Sequence, residues 1–135
     1  MPSAVVADHG GPPWEGMRWY HNTILANPRN LFSLRHMKPG QTWQAFNNIV
    51  LIGKSTSGKP QAGAAWGGNV AGDPSFVKPG DFRLQPGSPA IGAGATIPAD
   101  WFDPLRDRGS GKPDAGAIPA GAKRLRVGRH GRLSF

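Results

Sequence analysis

Three short stretches echo one another along the chain: Trp19-Tyr20-His21-Asn22-Thr23-Ile24-Leu25, Ala45-Phe46-Asn47-Asn48-Ile49-Val50-Leu51 and Trp66-Gly67-Gly68-Asn69-Val70-Ala71-Gly72. Each sets an Asn directly before a small apolar run, and the steps from Asn22 to Asn48 to Asn69 are 26 and 21 residues. Self-similarity on that scale marks a solenoid, because a unit of that length buries its apolar face only by stacking on a neighbour. Asn tolerates left-handed backbone at a corner between two strands. With coils stacked about 4.8 Å apart, the amides of Asn22, Asn48 and Asn69 would hydrogen-bond to one another as a structural ladder. The alternative is that each Asn marks an unrelated loop.

The surrounding composition points the same way. Twenty Gly and fourteen Pro make up about a quarter of the 135 residues, close to the level at which disorder competes with folding. Five Trp, six Phe and recurring Ile/Val/Leu runs argue for a packed core. Many Gly and Pro with no long amphipathic window predict short strands joined by tight turns, hence an all-β chain. With no cysteine there is neither a disulfide framework nor a thiolate metal site. No apolar run approaches the roughly 18 residues of a membrane span.

A pass along the sequence predicts four parts: an irregular lead-in over 1–16, coils over 17–72, a C-terminal cap segment over 73–122 and a basic flexible tail over 123–135. Within the coils, strands are expected around Met17–Tyr20, Thr23–Leu25, Leu31–Arg35, Thr42–Phe46 and Ile49–Ile52. Residues 53–63 read as a polar loop, and a shortened third coil begins at Trp66. In the cap segment, Phe76, Phe82, Leu84 and Ile91 are expected to cover the open end of the last coil, while Pro and Gly stop further pairing. The formal charge of +8 is concentrated in the tail, whose Lys123, Arg124, Arg126, Arg129 and Arg132 face no acid. Such a tail either neutralises an anionic polymer or is a solvated terminus.

The run Asp73-Pro74-Ser75-Phe76-Val77, followed by Asp81-Phe82-Arg83-Leu84-Gln85-Pro86-Gly87-Ser88-Pro89-Ala90-Ile91-Gly92-Ala93-Gly94, resembles the C-terminal segment of right-handed parallel β-helix proteins of the pectate-lyase-like superfamily. Lys112-Pro113-Asp114-Ala115-Gly116-Ala117 matches their usual ending in part, and Gly92 stands where that pattern carries Asp. The resemblance spans roughly residues 17–119. It implies a right-handed parallel β-helix of about three coils with an irregular cap, and a carbohydrate-active parent protein, extracellular or periplasmic, that binds or degrades polysaccharide. It also implies that further β-helix coils or self-association cover the N-terminal end. Residues 1–16 lack the basic and apolar regions of a signal peptide, so either the protein is cytoplasmic or, as the resemblance implies, an export signal lies upstream. Ca²⁺ enters as a cofactor by the resemblance alone. No metal site is assigned from the residues, although Asp100, Asp103 and Asp107 have the density of a cation site or an acid pair.

Three readings of function stay open. The first is the non-catalytic C-terminal part of a carbohydrate-active protein. The second is a small polysaccharide lyase acting on acidic glycans. Arg35, His36 and Lys38 are its catalytic candidates, because a cation would neutralise a uronate and an imidazole moves protons near neutral pH. Arg35 and Trp43 are its substrate-binding candidates, the indole offering a flat face to a sugar ring. The third is a structural or adhesive module whose tail binds anions. His21 reads as a corner residue beside the ladder, and Asp100, Asp103 and Asp107 read as turn formers or an acid cluster.

Overall fold

The computed structural model describes residues 3–6, 15–25, 30–33, 39–51, 64–106 and 111–123. Among them are ten short strands and no helix. The all-β, turn-rich character follows from the sequence: β-branched and aromatic residues fill the strands, and Asn, Gly and Pro fill the connections.

Three strand–corner–strand segments carry the repeat. The first joins β2 (Gly16–Tyr20) to β3 (Thr23–Ile24), the second β5 (Thr42–Phe46) to β6 (Ile49–Val50), and the third β7 (Ala64–Gly67) to β8 (Val70–Ala71). Corresponding strands pair in parallel, giving one sheet in the order β2-β5-β7 and another in the order β3-β6-β8. The register aligns Trp19 with Ala45 and Trp66, and Thr23 with Ile49 and Val70. The sheet rows therefore follow the Asn repeat residue for residue. A further parallel pair joins β1 (Ser3–Val6) to β4 (Asn30–Ser33). The lead-in expected to be irregular over 1–16 thus holds a strand, and Gly16 already belongs to the next one.

The chain after Gly72 differs from a plain run of turns. β9 (Phe76–Lys78) and β10 (Asp81–Leu84) form an antiparallel hairpin about Pro79-Gly80. Phe76 and Phe82 meet edge to face at 5.4 Å. The buried Asp81 carboxylate accepts from Nε and Nη2 of Arg83 at 2.9 and 2.6 Å. That bond, and the negative charge behind it, hold the guanidinium above its ordinary pKa.

From the hairpin the chain crosses the side of the stack as a strap. Leu84, Ala90 and Ala115 pack with Ile49 in one buried cluster, flanked by Leu51, Val70 and Phe76. The strap thereby reaches the middle segment, not just the last. It also touches the first, since Ala117 N–H donates to Thr23 Oγ1 at 3.1 Å. Ile91, expected to cover an open end, is 40% exposed. Trp43, Ala45 and Val50 are fully buried.

The loop over 97–106 packs against the outward positions of β2 and β5. The buried Trp101 ring lies 5.8 Å from Tyr20 and 5.9 Å from Phe46, and Arg18 Cζ stands 4.3 Å from its centroid. Tyr20 Oη donates to the Phe102 carbonyl. Arg106 ties the loop together by donating to the carbonyls of Ile97, Pro98 and Trp101 at 3.0, 2.8 and 2.9 Å. Arg106→Ala is expected to lower stability by about 1–2 kcal/mol, read as a shift in denaturant midpoint at constant slope.

Candidate functional site

Each corner bends through one left-handed residue. This is the residue before the ladder Asn rather than the Asn itself: His21 at φ 54°, Asn47 at φ 55° and Gly68 at φ 62°. The left-handed step turns the next side chain to run along the stack. Asn22 N and Nδ2 both donate to Asn48 Oδ1, at 3.0 and 2.8 Å. Asn48 N and Nδ2 donate in the same way to Asn69 Oδ1, at 3.0 and 2.8 Å. The remaining Nδ2 hydrogens go to carbonyls of the preceding strands, at Tyr20, Trp19 and Ala45. The amide-to-amide bonds have one direction, each donated to the segment that follows, while Asn48 and Asn69 send their other Nδ2 hydrogen back to the segment before.

The side chain at the left-handed position has three different surroundings. At Gly68 there is none, and a Cβ would lie 2.4 Å from Ala95 N. At Asn47 the amide takes both backbone groups of Ala95, accepting from its N–H at 2.7 Å and donating to its carbonyl at 2.9 Å. At His21 the imidazole faces the strap, with Nε2 3.4 Å from Asp103 Oδ1.

Around His21 the strap leaves a cleft of about 260 Å³, lined also by Asp103, Leu105, Arg106, Lys112 and Asp114. The His21 and Asp103 side chains are 8% and 4% exposed. Neither imidazole nitrogen makes a hydrogen bond to a described residue. Asp103 Oδ1 also accepts the Leu105 N–H at 2.9 Å, which fixes the carboxylate in its turn. Asp114 is committed to structure: its oxygens accept from Gly92 N–H at 2.8 Å and Ala120 N–H at 2.7 Å, pinning two loops of the strap. The exposed Lys112 adds a positive charge to the lining. An imidazole beside a buried carboxylate can donate to or accept from a hydroxyl group. Among the described residues no three metal-ligating side chains come together.

Other candidate residues lie elsewhere. Trp43 is 0% exposed and offers no face to a sugar, because it occupies an inward position of β5. Arg35, His36 and Lys38 lie outside the described residues, as do Asp107 and the tail beyond Lys123. Asp73 is a turn former whose Oδ1 accepts the Ser75 N–H at 2.8 Å. The His21–Asp103 pair joins residues 82 positions apart, so no spacing rule announces it. The available signals were a histidine at a repeat corner and the density of Asp in Asp100-Trp101-Phe102-Asp103. No protein-family model, curated protein or solved structure matches the chain.

Proposed function

We propose that this chain is a right-handed parallel β-helix of about three coils, closed along one side by a strap, and that it serves as the non-catalytic C-terminal part of a carbohydrate-active protein. The observation that carries the reading is the direct hydrogen bonding of Asn22, Asn48 and Asn69 across two in-register parallel sheets. Direct contact between the same position of successive repeats is what a stack of repeats produces. The handedness follows from the near-universal right-handed crossover between parallel strands of one sheet.

Carbohydrate is the partner favoured by the sequence resemblance, and the His21 cleft is where the described surface suits it best. At about 260 Å³ it sits just below the usual range of ligand pockets, about 300–1,000 Å³, and so takes a single sugar-sized unit. His21 and Asp103 offer a donor and an acceptor for hydroxyls, and Leu105, Pro113 and Pro119 line the cleft with apolar surface.

The test is titration of the purified protein with neutral and acidic oligosaccharides, followed by calorimetry and by a cleavage assay. Binding without cleavage is expected, and His21→Ala or Asp103→Asn should each weaken it at least tenfold. Binding that both variants leave unchanged removes the cleft from the proposal. Release of new chain ends by the wild-type protein overturns the non-catalytic reading.

A further inference from the structure

The ladder has complementary ends. On the side of the first segment, both Asn22 Nδ2 hydrogens and its N–H are already donated, to Tyr20 O and Asn48 Oδ1. Asn22 Oδ1 accepts from no described residue. Its counterparts Asn48 Oδ1 and Asn69 Oδ1 each accept two bonds. Beside it stand the N–H groups of Thr23 and Leu25. Their counterparts Ile49 and Leu51 donate to Asn22 O and Ile24 O of the segment above at 2.8 and 3.1 Å. Among the described strands β3 pairs on one side only, with β6.

On the side of the third segment the inventory is reversed. Asn69 N–H and one Nδ2 hydrogen donate to no described residue, whereas the equivalent groups of Asn22 and Asn48 both reach the next amide oxygen. β8 likewise pairs on one side only. Val70 N–H and Gly72 N–H donate to Asn48 O and Val50 O. Strand alternation therefore turns the N–H and C=O of Ala71 away from the stack. Ala71 is exposed, and Leu25 at the other end is 49% exposed.

We infer that the partner fitting the first-segment face is the third-segment face of a second copy of this chain, stacked head to tail. Asn69 of one copy would donate from N and Nδ2 to Asn22 Oδ1 of the next, continuing the ladder in its own direction. A head-to-head pair fails this match, because two Asn22 residues that have spent all their donors would face each other oxygen to oxygen. The contact is heterologous, so it leaves a free face at each end and adds copies without closing. This inference rests on the stacked-segment reading of the fold, and it supplies the self-association expected at the N-terminal end.

The experiment is sedimentation velocity of the full chain across a wide concentration range, with enough salt to screen its net charge of +8. A series of species beyond the dimer is expected. Leu25→Pro removes one edge donor from the head, and Ala71→Pro removes one from the tail. Neither touches a bond inside the stack, and proline is tolerated on an edge strand. Each variant alone should associate at least tenfold more weakly than wild type. An equimolar mixture should form a heterodimer and stop there, since one head and one tail remain intact.

A wild-type chain that stays monomeric overturns the inference, as does a closed dimer or growth that both variants retain. If that happens while Asn48→Ala still costs the protein heavily in stability, the stacked-segment reading stands and only end-to-end assembly falls.

Discussion

Gly68→Ala is expected to lower stability by about 3–5 kcal/mol, among the largest effects a single methyl group can have. The residue holds φ 62°, a backbone region that costs a side-chain-bearing residue about 1–2 kcal/mol. The new Cβ would lie 2.4 Å from Ala95 N, 2.4 Å from Asn47 Oδ1 and 2.7 Å from Gly94 Cα. Two of those atoms are backbone, so the strap must move away from the corner. Overpacking of this kind costs about 1–3 kcal/mol. The retreat also stretches the two bonds between Asn47 and Ala95, each contributing about 1 kcal/mol. Gly40→Ala is the control, with φ 86° and nothing within 4 Å of the added carbon. It should cost only the backbone part. Equal denaturant midpoints for the two variants would show that the strap is not seated at Gly68.

Asn48→Ala is the second large effect, about 3–5 kcal/mol. Asn48 is fully buried, and its amide makes four hydrogen bonds: two accepted from Asn22 and one donated to each of Trp19 O and Asn69 Oδ1. Losing them leaves the Asn22 N–H without its acceptor and a void beside Ile49, with each buried unsatisfied group costing about 1–3 kcal/mol. Asn69→Ala removes three bonds at a half-buried site, and Asn22→Ala removes two. The expected order of cost is therefore Asn48, then Asn69, then Asn22, read from equilibrium urea unfolding. Three equal costs would mean that the amides act as separate turn residues and not as a connected row.

What was legible in the sequence was the repeat. A ladder needs one amide per segment at a regular step, and the aligned pairs Thr23, Ile49 and Val70 sit directly after Asn22, Asn48 and Asn69. The left-handed residue lies one position before the ladder Asn, whereas the tolerance of Asn for that backbone points to the Asn itself. The residue bearing the strain differs at each corner (His, Asn, Gly), so no single residue type marks it. Trp43 could be read as a sugar platform only while its face was unknown. Alternation along β5 sends it inward beside Ala45. The strap was the least legible part. Its bonds to Thr23, Asn47 and Tyr20 depend on how a Gly- and Pro-rich chain closes in space, and periodicity carries no information about that.

The placement of the strap also sets an order of events in folding. Ladder bonds join residues 26 and 21 positions apart, so each segment can add to the last through a short loop. Strap bonds join residues 48, 82 and 94 positions apart, from Asn47 to Ala95, Tyr20 to Phe102 and Thr23 to Ala117. Long-range closure is slow relative to local pairing. The stacked sheets therefore form first and wait with Ile49 and Val70 uncovered until the last third of the chain arrives. On a ribosome, that interval lasts as long as synthesis of residues 73–117. The vulnerable species of this protein is thus a late one, with its ladder complete and its flank bare.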